Sequence, residues 1–150
     1  MQLSTPSQAL ANQRLSSEFT DDFYQLDAGL WDATVVDGIG TVALDVDGVG
    51  GLIILTNSAV DNDEAYLFTK TEGWNFLASR PTDAVWQVQY AEQNTDDANV
   101  IVGLMSGVAA NALLDNGAGP AASYTGAVFF KADGSTLWSV ETSNAGAQTT

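Results

Sequence analysis

The stretch AVDNDEAYLFTK at 59–70 sets Asp61, Asn62, Asp63 and Glu64 side by side, ahead of an apolar, aromatic-rich run. Four oxygen-bearing side chains in succession could hold a cation or supply carboxylates for acid–base work. A calcium loop of the D-x-D-x-D-G type needs a further oxygen ligand at its fifth position, Gly at its sixth and Glu at its twelfth. Counted from Asp61, those positions hold Ala65, Tyr66 and Glu72; counted from Asp45, the fifth and twelfth hold Val49 and Thr56. Neither fits. Asp61, Asp63 and Glu64 remain candidates only for an irregular calcium site assembled from several loops. Turn chemistry explains them more simply, because Asp and Asn bond their own backbone and acids beside a strand edge discourage wrong pairing. On that reading Asp61, Asn62 and Asp63 are exposed, and they launch a strand in which Tyr66 and Phe68 share one face.

No catalytic constellation is found. The chain has no histidine, which removes Ser-His-Asp triads and HExxH zinc sites. Glycoside hydrolysis needs only two carboxylates about 5–9 Å apart. The pairs spaced for one face of a strand are Asp45/Asp47 and Asp61/Asp63, and both sit at or beside turn signals. The Glu, Asp, Glu alternation of sandwich-fold glucanases is missing. Gly38, Gly40 and Ala43 have dinucleotide-fingerprint spacing, but such a fingerprint must open a helix, and this one runs into VALDV, a strand. The expectation is a chain with no catalytic residue, no cofactor and no enzyme activity. Trp74, in the loop TEGWNF, is the aromatic least accounted for by packing, and it is the candidate for stacking on a sugar ring.

The chain's totals narrow the partners. In 150 residues, 19 acidic side chains face 4 basic ones, for a net charge of -15. Phosphate contacts need Lys and Arg, and Arg14, Lys70, Arg80 and Lys131 are widely scattered. Nucleic acid and anionic lipid are therefore disfavoured, and a basic protein surface is the partner that opposite potentials would steer in. There is no Cys, hence no disulfide or thiolate site. MQLSTPSQALANQR lacks the apolar core of a secretory signal, and no apolar run reaches the ~20 residues of a spanning helix; the chain reads as soluble.

Hydrophobic residues make up 45 % of the chain, normal for a folded domain. Residues 1–18 read as a polar N-terminal arm and 19–150 as one β domain. Strands are expected at 33–36, 41–46, 51–56, 64–70, 84–91, 98–105, 126–131 and 136–142. They are separated by DGIG, DGVGG, SRPTD, NTDD and ADGS turns, the texture of an antiparallel sandwich or barrel. VAANALLD at 108–115 is the one expected helix, a short one ended by NGAGP. In 84–91 Trp86, Val88 and Tyr90 alternate with Gln87 and Gln89, the pattern of a half-exposed strand, and Trp86 and Trp138 have the phase for core packing. LIIL at 52–55, VIVGL at 100–104 and VFF at 128–130 do not alternate. Strands apolar on both faces are covered on both faces, here by a connecting segment, the arm or another chain.

DDFYQLDAGLW (21–31), GGLIILTN (50–57), VDNDEAYLFTKTEGWNF (60–76), TDDANVIVGLM (95–105) and NALLDNGAGPAASYTGAVFFKADG (111–134) resemble capsid decoration, or cement, proteins of tailed bacteriophages. The resemblance covers about residues 19–150, and DNDEAYL and ANALLDNGAGP are its most distinctive blocks. It implies an all-β, lectin-like jelly-roll sandwich of the concanavalin A or laminin G type. It also implies further strands after TSNAGAQTT, which in this chain would be absent, shortened or supplied by a neighbouring subunit. The implied role is structural: a homo-oligomer, trimer rather than dimer, binds the major capsid protein on the outer capsid surface of a virion assembled in the host cytoplasm. A carbohydrate-binding, lectin-like module on a virion or cell surface is the alternative.

Overall fold

A computed structural model of the chain describes residues 19–36, 38–45, 47–48, 51–58, 63–71, 82–92, 97–115 and 117–150. The arm expected at 1–18 lies outside the described residues. All regular structure among these residues is β, and every ladder is antiparallel. The strands are β1 (Trp31–Val36), β2 (Thr41–Leu44), β3 (Ile53–Thr56), β4 (Glu64–Thr69), β5 (Val100–Met105), β6 (Leu113–Leu114), β7 (Gly119–Pro120), β8 (Gly126–Lys131), β9 (Trp138–Asn144) and β10 (Ala147–Thr149). They form a four-stranded sheet in the order β10-β9-β8-β5 and three two-stranded ladders, β1-β4, β2-β3 and β6-β7. Seven of the expected strands are found, with boundaries shifted by a few residues.

The turns between these strands follow from their residues. Asp45 Oδ1 accepts the amide of Asp47, the first residue of DGVGG, at 3.1 Å, the Asx-turn that Asp favours. Gly51 then takes φ 68 with Asp22 O so close that a Cβ would sit 1.7 Å from it. Only glycine fits there, and the chain emerges correctly aimed for β3.

The four-stranded sheet shows how its sequence reads as a core. Strand side chains alternate faces, and β8 puts Val128 and Phe130 inward, 1 % and 7 % exposed. Leu113, Tyr124 and Ala132 complete this cluster, and Ile101 and Met105 of β5 pack against it. The segment 106–125, with its β6-β7 hairpin, supplies Leu113 and Tyr124 and so covers this face. Fully burying a side chain of Val or Phe size is worth about 1.5–3 kcal/mol.

Two expected elements are corrected. The helix at 108–115 does not form. Asn111 has φ 60, and Leu113–Leu114 pairs with Gly119–Pro120 instead. Tertiary partners compete for the amides a helix would use: the Glu64 carboxylate accepts the Asn111 N–H at 2.9 Å, and the Tyr66 hydroxyl, at 3.2 Å, shares the Ala112 N–H with Ala109 O at 3.1 Å. Helix propensity is a weak prior and yields to such contacts. The strand at 84–91 does not form either; its residues join no ladder and are exposed throughout. An alternating pattern makes a segment able to pair, but pairing needs a neighbour.

Candidate functional site

Of the acidic cluster, the described residues Asp63 and Glu64 do not converge on a site. Asp63, expected to be exposed, is buried. Its Oδ2 accepts the Ser58 amide, and its carbonyl accepts Asn57 Nδ2 at 2.8 Å. Hydrogen bonds from the Ser58 side chain and amide hold its carboxyl below the usual carboxylate value, since bonding to the charged form favours it. Gly38 and Gly40 make room: a Cβ on Gly38 would lie 2.1 Å from the carboxylate, and one on Gly40 would lie 2.5 Å from Thr56 O. Gly38 and Gly40 thus form a seat for Asp63. One carboxylate oxygen, Oδ1, is buried there without a hydrogen-bond partner.

Glu64 has a different task. It begins β4 and binds the Asn111 amide of the 109–112 loop. Asp63 and Glu64 therefore serve two separate loops. Asp61 and Trp74 lie outside the described residues. Among the described residues, no group of three His, Cys, Asp or Glu side chains is placed to hold a metal ion.

Two polar centres were not foreseen from the sequence. Glu141 of β9 is buried and accepts the Tyr124 hydroxyl at 2.9 Å, Gln148 Nε2 at 2.8 Å and Thr150 Oγ1 at 2.9 Å. Its signal in the sequence was its inward phase, two residues before the buried Ser143. Near the chain's start, Asp21 Oδ2 accepts Trp31 Nε1 at 2.5 Å. Phe19 and Phe23 lie against the Trp31 ring, with centroids 5.8 and 5.2 Å away. The first and last residues of DDFYQLDAGLW are thereby in contact.

The surface with the character of a binding site is the other face of the four-stranded sheet. The ladders place Val102, Phe129 and Val140 opposite one another, and likewise Val100, Lys131 and Trp138. Phe129, Trp138 and Val140 are 46 %, 42 % and 51 % exposed. Trp138, expected in the core, is instead 42 % exposed and packs edge-to-face with Tyr90 at a centroid distance of 5.9 Å; Trp86 is exposed as well. At one end of this face the buried Lys131 ammonium donates to Ala98 O at 3.0 Å and pairs with Glu92 at 3.4 Å. Clustered exposed apolar side chains mark interaction sites, whereas scattered single ones do not. This arrangement has the character of a binding surface.

No family model, curated protein or solved structure matches the chain. No helix among the described residues is long and apolar enough to cross a membrane.

Proposed function

We propose that the chain is a structural virion protein. It decorates the outer surface of a bacteriophage capsid by binding major capsid protein subunits as a homo-oligomer, and it carries out no reaction. The observation that carries this reading is the open apolar face around Phe129, Trp138 and Val140, on a sheet whose opposite face is already filled by the chain's own core. The resemblance of DNDEAYL and ANALLDNGAGP to decoration proteins supports it, as does an acidity that favours basic protein surfaces. Contacts repeated over a capsid lattice gain by multivalency, so a face of modest size is enough. The fold that belongs with this reading is a lectin-like jelly-roll sandwich, its second sheet completed by a neighbouring subunit.

Sedimentation of the purified chain with undecorated tailed-phage capsid shells tests the proposal, with cryo-electron microscopy of the pelleted shells. Icosahedrally repeated density and a free species larger than 15.7 kDa are expected. A strict monomer that leaves every shell bare overturns it.

A carbohydrate-binding module is the second reading, favoured by the exposed Trp138 and its edge-on Tyr90, since aromatic faces stack on sugar rings. A glycan array gives hits that Trp138→Ala removes if this is right, and an empty array rejects it.

A further inference from the structure

Residues 82–92 carry a strand's side-chain pattern without a strand's partners. Trp86, Val88 and Tyr90 are 40–49 % exposed, whereas Val85, on the other phase, is 94 % exposed. The segment is tied to the open sheet face at one end, where Tyr90 meets Trp138 and Glu92 pairs with Lys131. Its main chain is uncommitted: among the described residues, none from 82 to 91 makes a hydrogen bond. Unpaired main chain flanked by alternating apolar side chains is a template for strand addition.

We infer that residues 84–91 are a docking strand, which takes up an extended, basic-flanked segment of a partner protein alongside the Phe129–Trp138–Val140 face. The inference names the docking element of the capsid-binding reading and rests on that reading for the partner.

Charge selects the occupant. Asp83 and Glu92 bracket the segment, with no Lys or Arg between them. If two copies paired antiparallel about its centre, Asp83 of each chain would face Glu92 of the other. Like charges directly opposite destabilise a ladder, and two chains of net charge -15 repel at longer range. A strand with Lys or Arg at its ends meets the same acids favourably and is steered toward them. Glu92 is shared with Lys131, so Asp83 and the overall field supply most of the attraction. Oligomer contacts then fall on other surfaces of the chain.

The test is a titration of the full chain, followed by tryptophan fluorescence. One synthetic peptide alternates valine and threonine between paired lysines; a second has paired glutamates instead. Val88→Pro is the variant, because proline cannot donate to a ladder and Val88 has no hydrogen bond to lose in the free chain. Circular dichroism verifies that the variant folds. The lysine peptide is expected to bind at least about tenfold more tightly than the glutamate peptide or than it binds Val88→Pro, and to weaken as salt rises from about 50 to 300 mM. Equal affinities, no binding of the lysine peptide, or indifference to Val88→Pro overturns the inference. So does concentration-dependent self-association that Val88→Pro abolishes, which would make a second copy the occupant. A chain that binds the peptide but leaves capsid shells bare sinks the virion reading alone. A chain that coats shells equally well with Val88→Pro sinks the docking strand alone.

Discussion

The Tyr124 hydroxyl donates to Glu141 Oε1 at 2.9 Å, joining the loop after β7 to the middle of β9 inside the core face of the sheet. Among the described residues Glu141 has no ion-pair partner; Gln148 and Thr150 complete its shell and fasten β10 to β9. Hydrogen bonds to a charged group are worth about 1.5–3 kcal/mol; removing the acceptor breaks all three bonds and strands the buried Tyr124 hydroxyl, while Gln148 Nε2 keeps Pro120 O and Ala121 O. Glu141→Leu is therefore expected to cost more in urea unfolding at pH 7 than Tyr124→Phe, by about 1–2 kcal/mol. Equal losses would show that the carboxylate does not organise this network.

The neighbours Phe129 and Phe130 point to opposite faces of β8, 46 % and 7 % exposed. Phe130→Ala is expected to lose about 3–5 kcal/mol, the range for emptying an aromatic site in a core. Phe129→Ala is expected to change stability by less than about 1 kcal/mol, as surface changes do, yet to weaken capsid binding. Chemical denaturation and shell sedimentation of the two variants separate the core from the docking face.

Gly38 is predicted to be coupled to Asp63. An alanine Cβ there would collide with the Asp63 carboxylate, and overpacking costs about 1–3 kcal/mol. Truncating the carboxylate as well removes the collision, so Gly38→Ala is expected to cost less in an Asp63→Ala background. A double-mutant cycle measures this coupling. Additive losses would mean that Gly38 matters for some other reason.

The pH dependence of stability has two limbs. Burial first, then the negative charge of Glu64, pushes the Tyr66 hydroxyl up from 10.0 to about 12. The protonated phenol is the form favoured by folding, so this stabilisation is complete below about pH 10 and lost as pH rises through about 12. Burial and Glu141 move Tyr124 the same way. The Asp63 carboxyl is lowered from 3.8, so its contribution is present above that pH and lost as pH falls below it. Thermal melts across pH are expected to show a plateau between the two limbs, with the alkaline limb softened in Tyr66→Phe. An unchanged alkaline limb in that variant would exclude Tyr66 as its source.

The sequence displayed the strands well and their partners poorly. GAVFFK and WSVETSN read as strands because β-branched and aromatic residues lie between turn signals, and β8 and β9 form there. AVWQVQYA reads equally well, yet 84–91 joins no ladder, because alternation reports a capacity to pair and not the presence of a neighbour. VAANALLD misleads for the reverse reason: its local preference is helical, but Glu64, over 40 residues earlier in the chain, takes the amide of Asn111, and Tyr66 shares that of Ala112. The same kind of long-range placement hid the role of Asp63, which reads as solvated until Gly38 and Gly40 pack against its carboxylate.

By itself, the sequence determined that the chain is strongly acidic, has no histidine or cysteine, and is built of short strands divided by Asp- and Gly-rich turns. Those properties depend on residue type and local spacing alone. It also showed that β5 and β8 are apolar on both faces. Only the tertiary structure decided which face became core: Tyr124 and Leu113 come from a segment that crosses one side of the sheet, and this leaves Phe129, Trp138 and Val140 open on the other. Burial is a relation between distant segments, and a linear pattern does not record which of two apolar faces its own chain will cover.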